Sequence, residues 1–226
     1  TATNTACPQP TSPPPPAPTQ APPQPTADPN PTLGVNVLPN GSFEEGHWNQ
    51  NGVPELQLPV GWSIQWDEGP TGFGGEEWDV WVRPETRVLS TQFLPPAEHG
   101  LFIFDGQHTV KAFKGNGAIS FRLFTDVTLE PGTYVFEVNL FPDMVTSYNN
   151  GVKNWSLDPT AGELAFIVDG PATGWLATPA GQRLTFTHTF TVEEARSVRV
   201  GMALRGKYAL ATNGFFIDAL TLKRVQ

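Results

Sequence analysis

The sequence predicts an all-β protein: a single jelly-roll or related β-sandwich with long loops, carried behind an extended Pro/Thr-rich tail. Three observations predict it. Apolar and polar residues alternate with a period of two through most of the chain after Leu33. Gly, Pro, Asn and Asp punctuate the gaps between those runs. The one helix-like stretch, residues 192–196, is too short to form more than a turn.

The first 32 residues form the tail, and residues 33–226 form the sandwich domain. The tail holds 12 of the chain's 24 prolines and a single charge, Asp28, with Thr1, Thr3, Thr5, Thr11, Thr19, Thr26 and Thr32 interspersed. Proline lacks a backbone N–H, so this stretch makes neither a helix nor a central strand. Its default is polyproline II at about 3.1 Å per residue, on the order of 100 Å fully extended. That composition suits a semi-rigid spacer or an O-glycosylated stalk. The chain begins at Thr1 without Met, which leads us to expect a processed N-terminus. Cys7 is the one cysteine; it has no intramolecular partner and stands as an inert thiol, a lipid-anchored Cys or half of an inter-chain disulfide.

Strands then follow in order. Val35 and Val37 alternate before the turn at Pro39, Asn40 and Gly41. Trp62, Ile64 and Trp66 alternate next, then Val80 and Val82 with Trp81 and Arg83. An apolar run occupies 101–104, and further strands cover 110–112, 118–124, 133–141, 163–168, 184–190, 197–204 and 215–222. Glu130-Pro131-Gly132 reads as a turn with Pro second and Gly third. Two long connections, 67–100 and 142–162, interrupt the pattern; structured loops on a rigid sandwich are where binding residues concentrate.

At 226 residues, less the tail, about 190 remain, a usual size for one sandwich. The formal charge is −9, which argues against phosphate-backbone binding, since that needs clustered Lys and Arg. No run of 18 apolar residues exists to insert in a membrane. The balance fits an extracellular or cell-surface protein that meets neutral glycans or cations. Aromatics are abundant, with 7 Trp and 15 Phe, more than a minimal core requires.

Three motifs in order carry a family resemblance. Asn40-Gly41-Ser42-Phe43-Glu44 stands upstream of Gly61-Trp62, Leu129-Glu130-Pro131-Gly132-Thr133-Tyr134 lies in the middle, and Phe216-Ile217-Asp218-Ala219-Leu220-Thr221-Leu222 closes the chain. Together they resemble the jelly-roll carbohydrate-binding modules of families four, nine and twenty-two, over residues 36–224. The resemblance implies that the first and last strands meet. It also implies a structural calcium held by Glu44 and Asp218, with backbone carbonyls completing a shell of six to eight oxygens. The alternative is that Glu44 caps a turn and Asp218 accepts backbone N–H bonds. The superfold also hosts adhesion and structural domains, so function is argued from the site.

Sugars are recognised by aromatic faces against C–H surfaces and by amides and carboxylates bonded to hydroxyls. The densest cluster is Glu76-Glu77-Trp78-Asp79-Val80-Trp81, where Trp78 and Trp81 would point to opposite faces of a strand. Tyr148, Asn149, Asn150, Asn154 and Trp155 form a second cluster, and Trp175 a third. Trp66, Trp78, Trp81, Tyr148, Asn150, Trp155 and Trp175 are therefore the candidate ligand-binding residues. No catalytic residues are assigned. The sequence has no Gly-x-Ser-x-Gly, P-loop or dinucleotide fingerprint, and His47, His99, His108 and His188 lack zinc spacing. Asn40 and Asn154 head N-glycosylation sequons. The competing function is a self-assembling subunit of an extracellular filament or surface layer, its tail docked on a neighbouring copy.

Overall fold

A computed structural model of the protein describes residues 32–74 and 77–226. The tail expected over 1–32 lies outside them except for Thr32, and so does Glu76 of the acidic-aromatic cluster. Residues Thr32–Gln226 make one compact unit. Among the described residues no helix is long and apolar enough to cross a membrane.

The strands in chain order begin with β1 (Leu33–Asn36), the ribbon β2 (His47–Asn49) and β3 (Gln57–Pro59), and β4 (Ser63–Trp66). A second ribbon, β5 (Gly69–Pro70) and β6 (Val80–Trp81), precedes β7 (Glu85–Ser90) and β8 (His108–Gly115). The long strands β9 (Ile119–Leu129) and β10 (Gly132–Pro142) follow, then the hairpin β11 (Val145–Asn149) and β12 (Val152–Trp155). The chain ends with β13 (Gly162–Val168), β14 (Leu176–Ala177), β15 (Leu184–Val192), β16 (Arg196–Gly206) and β17 (Thr212–Val225).

Two antiparallel sheets face each other. The larger runs β12-β11-β17-β10-β15, with β1 and β8 also on β17 and β7 beyond β8; the smaller runs β14-β13-β16-β9-β4. First and last strands do meet, with Leu33 opposite Val225 and Asn36 opposite Lys223. Period-two alternation sets the core. Phe121 and Leu123 of β9 and Val200, Met202 and Leu204 of β16 face Phe136, Val138 and Leu140 of β10 and Phe215 and Ile217 of β17. Edge-on aromatic pairs stitch the sheets, Phe136 to Phe166 at 5.5 Å and Phe121 to Phe215 at 6.1 Å. Trp62 is fully buried; its ring meets the Phe43 edge at 5.5 Å and its Nε1 donates to the Pro39 carbonyl.

The helix-like stretch 192–196 is no more than the tight connection from β15 to β16, as its length led us to expect. Three expectations change. The connection 67–100 holds the β5–β6 ribbon and the strand β7 of the larger sheet. The apolar run 101–104 is no strand: it holds a single helical turn, α1 (His99–Phe102), and the bend after it. Phe102 lies flat on Phe216 at 3.7 Å and edge-on to Phe141 at 5.0 Å, so this loop roofs the outer face of the larger sheet with a second small core. An apolar run of four cannot by periodicity be told apart as strand or turn, and here the outer-face phenylalanines decide it. The connection 142–162 is largely the β11–β12 hairpin.

Candidate functional site: a groove on the smaller sheet and a carboxylate pair at the chain ends

On the outer face of the smaller sheet, strand register sets Gln65 of β4 opposite Arg122 of β9, Arg122 opposite Ala203 of β16, and Ala203 opposite Ala165 of β13. One row on, Phe124 faces Gly201, and Gly201 faces Ile167. The small central residues sink the floor, while the 169–175 loop raises one wall. The result is a groove of about 340 Å³ walled by Trp175 and Pro171, at the lower end of the size range of ligand clefts. A Cβ on Gly201 would come within 2.2 Å of the Leu123 carbonyl, so β9 and β16 approach this closely only with glycine there.

The charged residues that line the groove are paired. Arg122 takes Asp67 at 2.9 and 3.2 Å, Arg199 takes Asp126 at 2.9 and 3.0 Å, and Asp169 takes Arg196 at 2.5 Å, while beside the groove Glu163 takes Arg205 at 2.7 Å. Burial raises the Asp67 carboxyl, but the Arg122 and Ser120 donors outweigh it and hold it below its ordinary range. Arg199 likewise holds Asp126 low. Trp175 is 40% exposed, and the Arg205 guanidinium lies 3.9 Å from its ring centroid. Arg205 also lies 4.9 Å from Phe73, whose edge meets Trp81 at 6.1 Å. Trp175, Arg205, Phe73 and Trp81 thus form one connected aromatic–cationic cluster.

The seven candidate residues separate accordingly. Trp175 walls the groove, and Trp81 joins it through Phe73. Trp78 precedes β6 in a turn and is 62% exposed. Trp66, opposite Phe121, faces the core and donates to Glu68. Tyr148, Asn150 and Trp155 lie on the β11–β12 hairpin of the larger sheet, away from the groove. Tyr148 bonds Thr212, Asn150 sits in the hairpin turn with φ of 49°, and Trp155 packs on Phe141 while donating to Asp143 at 3.0 Å. Of the two sequons, Asn40 is buried with both amide ends bonded, and Asn154 is exposed. Gln65, Phe124 and Arg122 are groove residues that the sequence reading missed. Their signal was an aromatic on the polar side of an alternating strand, Ser120-x-Arg122-x-Phe124-x-Asp126.

Glu44 and Asp218 grip one loop, 104–108. Asp218 accepts from the Phe104 and Asp105 N–H groups at 2.6 and 3.1 Å and from Ala219 at 2.6 Å. Glu44 accepts from the Gln107 and His108 N–H groups at 2.7 and 2.8 Å and meets the His108 ring at 2.5 Å. Burial pushes the Asp218 carboxyl up to about 7, with the Glu44 charge adding to it against those three donors. Burial also pulls Glu44 upward, but the Gln107 and His108 donors outweigh it and hold it low. A cleft of about 290 Å³ beside the pair is lined by Asp105, Glu45, Ser42 and Asn36. Among the described residues no three His, Cys, Asp or Glu cluster as a metal cage. The pair matches a hard divalent cation in charge and donor type. With about four lone-pair sites per carboxylate and three in use on each, it fills only about two coordination positions.

No protein-family model matches this sequence, and no curated protein matches it significantly. Among solved structures, the carbohydrate-binding module TmCBM61, determined with β-1,4-galactotriose, overlaps 84% of this chain and 99% of its own at 15% identity, with a TM-score of 0.52. The CBM22-1 xylan-binding domain of Paenibacillus barcinonensis Xyn10C overlaps 88% of this chain and 99% of its own, at 11% identity and a TM-score of 0.45. A family 16 carbohydrate-binding module covers 83% and 99%, at 15% identity and a TM-score of 0.42. The first of these likenesses defines a shared architecture: this chain has the jelly-roll β-sandwich fold of a carbohydrate-binding module.

Proposed function

We propose that this protein is a non-catalytic carbohydrate-binding module that takes a neutral polysaccharide along the outer face of the smaller sheet. One observation carries the reading. The exposed ring of Trp175 walls a groove whose floor is lowered at Ala165 and Ala203 and whose charged residues are matched in pairs. An aromatic face suits the C–H surface of a sugar, and paired guanidinium and carboxylate groups keep spare donors and lone pairs for hydroxyls. With no unmatched charge among the Arg122, Arg199 and Arg205 pairs, a neutral chain is favoured over a uronate. The carboxylates at the groove are tied to guanidinium groups, Asp67 to Arg122, Asp126 to Arg199 and Asp169 to Arg196, so the reading gives them the task of holding those arginines and assigns no catalytic carboxyl.

The reading extends to a calcium-type cation between the chain ends, with Glu44 and Asp218 supplying carboxylate oxygens and backbone carbonyls and water the remainder. Its support is that the Glu44 and Asp218 carboxylates both bind the 104–108 loop, where the Glu44 charge acts on Asp218. The cation would supply structure only. We place the protein outside the cell, in line with its acidity and its Pro/Thr-rich tail.

Affinity electrophoresis through a panel of soluble galactan, xylan, glucan and mannan tests the function, with pectate as the charged control. Retardation by at least one neutral polysaccharide is expected, and Trp175→Ala should abolish it. Free migration in every gel would sink the reading.

A further inference from the structure

β15 forms one margin of the larger sheet. It pairs only with β10, from Gly132 opposite Val192 to Leu140 opposite Leu184, with no register shift. Among the described residues its other edge makes no backbone hydrogen bond. Folded proteins guard such edges by brevity, charge, proline or bulges. The other marginal strands follow that rule. β14 has two residues, and β4 and β1 have four each. β12 has four and carries Lys153; β7 carries Glu85 and Arg87 and is bridged to Leu56. β15 does not follow it: it runs nine residues with no Lys, Arg, Asp, Glu, Pro or Gly.

Its sequence is also a near-palindrome, Leu184-Thr185-Phe186-Thr187-His188-Thr189-Phe190-Thr191-Val192. About His188, Thr matches Thr, Phe matches Phe and Leu matches Val. Antiparallel pairing reverses one strand against the other, so such a sequence is complementary to itself across a two-fold axis. The four threonines are exposed on the outer face, and Leu184, Phe186 and Phe190 are half-buried at the sandwich margin.

We propose that β15 is a self-association edge. Two copies of this chain pair β15 to β15, antiparallel about a two-fold axis at His188, and join their larger sheets into one. Thr187 then faces the partner's Thr189, and Phe186 faces the partner's Phe190. Like side chains meet on both faces and no charges oppose one another. The contact is isologous and consumes each free edge once, so it closes as a dimer. The groove lies on the other sheet and stays open in both copies, so the dimer presents two grooves to a polymer, which raises avidity. This inference does not depend on what the groove binds.

Sedimentation of the full chain from about 1 µM to about 1 mM tests it, since strand-pair contacts are weak. The expected mass rises from that of one chain to that of two and stops there. The double variant Thr187→Lys with Thr189→Lys sets like charges opposite each other across the axis and should raise the dissociation constant at least tenfold. The pair Thr187→Lys with Thr189→Glu sets opposite charges in register and should keep the dimer. Both substitutions lie on an exposed face, and an unchanged melting curve confirms folding. A monomer at every concentration overturns the proposal. So does an open series of larger species, or a dimer that the two variants affect alike.

Discussion

Asp218 shows how one side chain couples the folding of both chain ends to solution conditions. It is fully buried, and in the folded chain its carboxyl is raised to about 7, first by burial and then by the Glu44 charge. The folded state therefore holds a proton that the unfolded state releases near its ordinary value of about 3.9. The sign follows: the folded state binds more protons in that window, so the stability this one carboxyl contributes is full below about pH 4 and is lost as pH rises through about 7. In chelator, calorimetry should show the melting temperature falling across that interval, and Asp218→Asn should flatten the slope. A cation held by the same carboxylates binds only the folded chain and should restore stability at neutral pH. Calcium that moves the melting temperature of neither the native chain nor Glu44→Ala would end the metal reading. Gly106 is the second constraint at this spot. It has φ of +65°, and a Cβ there would sit 2.3 Å from Glu44 Oε1. Gly106→Ala should cost about 1–3 kcal/mol and be read as a lower denaturation midpoint.

Elements explain which tryptophans matter. Trp155 closes β12 over Phe141 and Asp143, beneath the loop that carries α1, while Trp175 stands on a loop over the groove. Trp155→Ala should therefore cost about 3 kcal/mol, lowering the melting temperature by roughly 6–12 °C for a domain of this size while leaving polysaccharide retardation intact. Trp175→Ala should do the reverse. The sequence could not separate the two, because composition marks an aromatic without saying which sheet face it stands on. Alternation did locate β9, β10, β16 and β17, since each has one face in the core and one in solvent or under a loop. The chain-end motifs led us to expect Glu44 and Asp218 near one spot, but not the 104–108 loop whose N–H groups both of them bind. The groove escaped notice because its floor is defined by what is missing, Gly201 and Ala203 of β16 beside Ala165 of β13. That alignment depends on register between β13 and β16, strands that are distant in the chain, which a single strand's pattern does not encode.

At the scale of the whole molecule, two routes to assembly differ in symmetry and in the part of the chain they need. Among the described residues, Thr32–Gln226 build both hydrophobic clusters and one compact unit, so removing residues 1–31 should leave the melting temperature within about 2 °C, the change a surface alteration of under 1 kcal/mol produces. Edge pairing through β15 uses a two-fold axis and closes at two copies. A tail that docks on a neighbour is a head-to-tail contact and produces open series. Comparing the full chain with the shortened one by sedimentation and electron microscopy therefore separates the routes. If β15 governs association, both forms dimerise with the same dissociation constant, and Thr187→Lys with Thr189→Lys disrupts both equally. If the tail governs it, the shortened chain is monomeric and the threonine substitutions change nothing in the full one. The net charge of −9 weighs on either outcome. Copies repel at low ionic strength, so association by an uncharged edge should strengthen as salt is raised to about 0.15 M, where the screening length falls to about 8 Å. An association that weakens with salt would instead mark a contact made by opposite charges, which β15 does not possess.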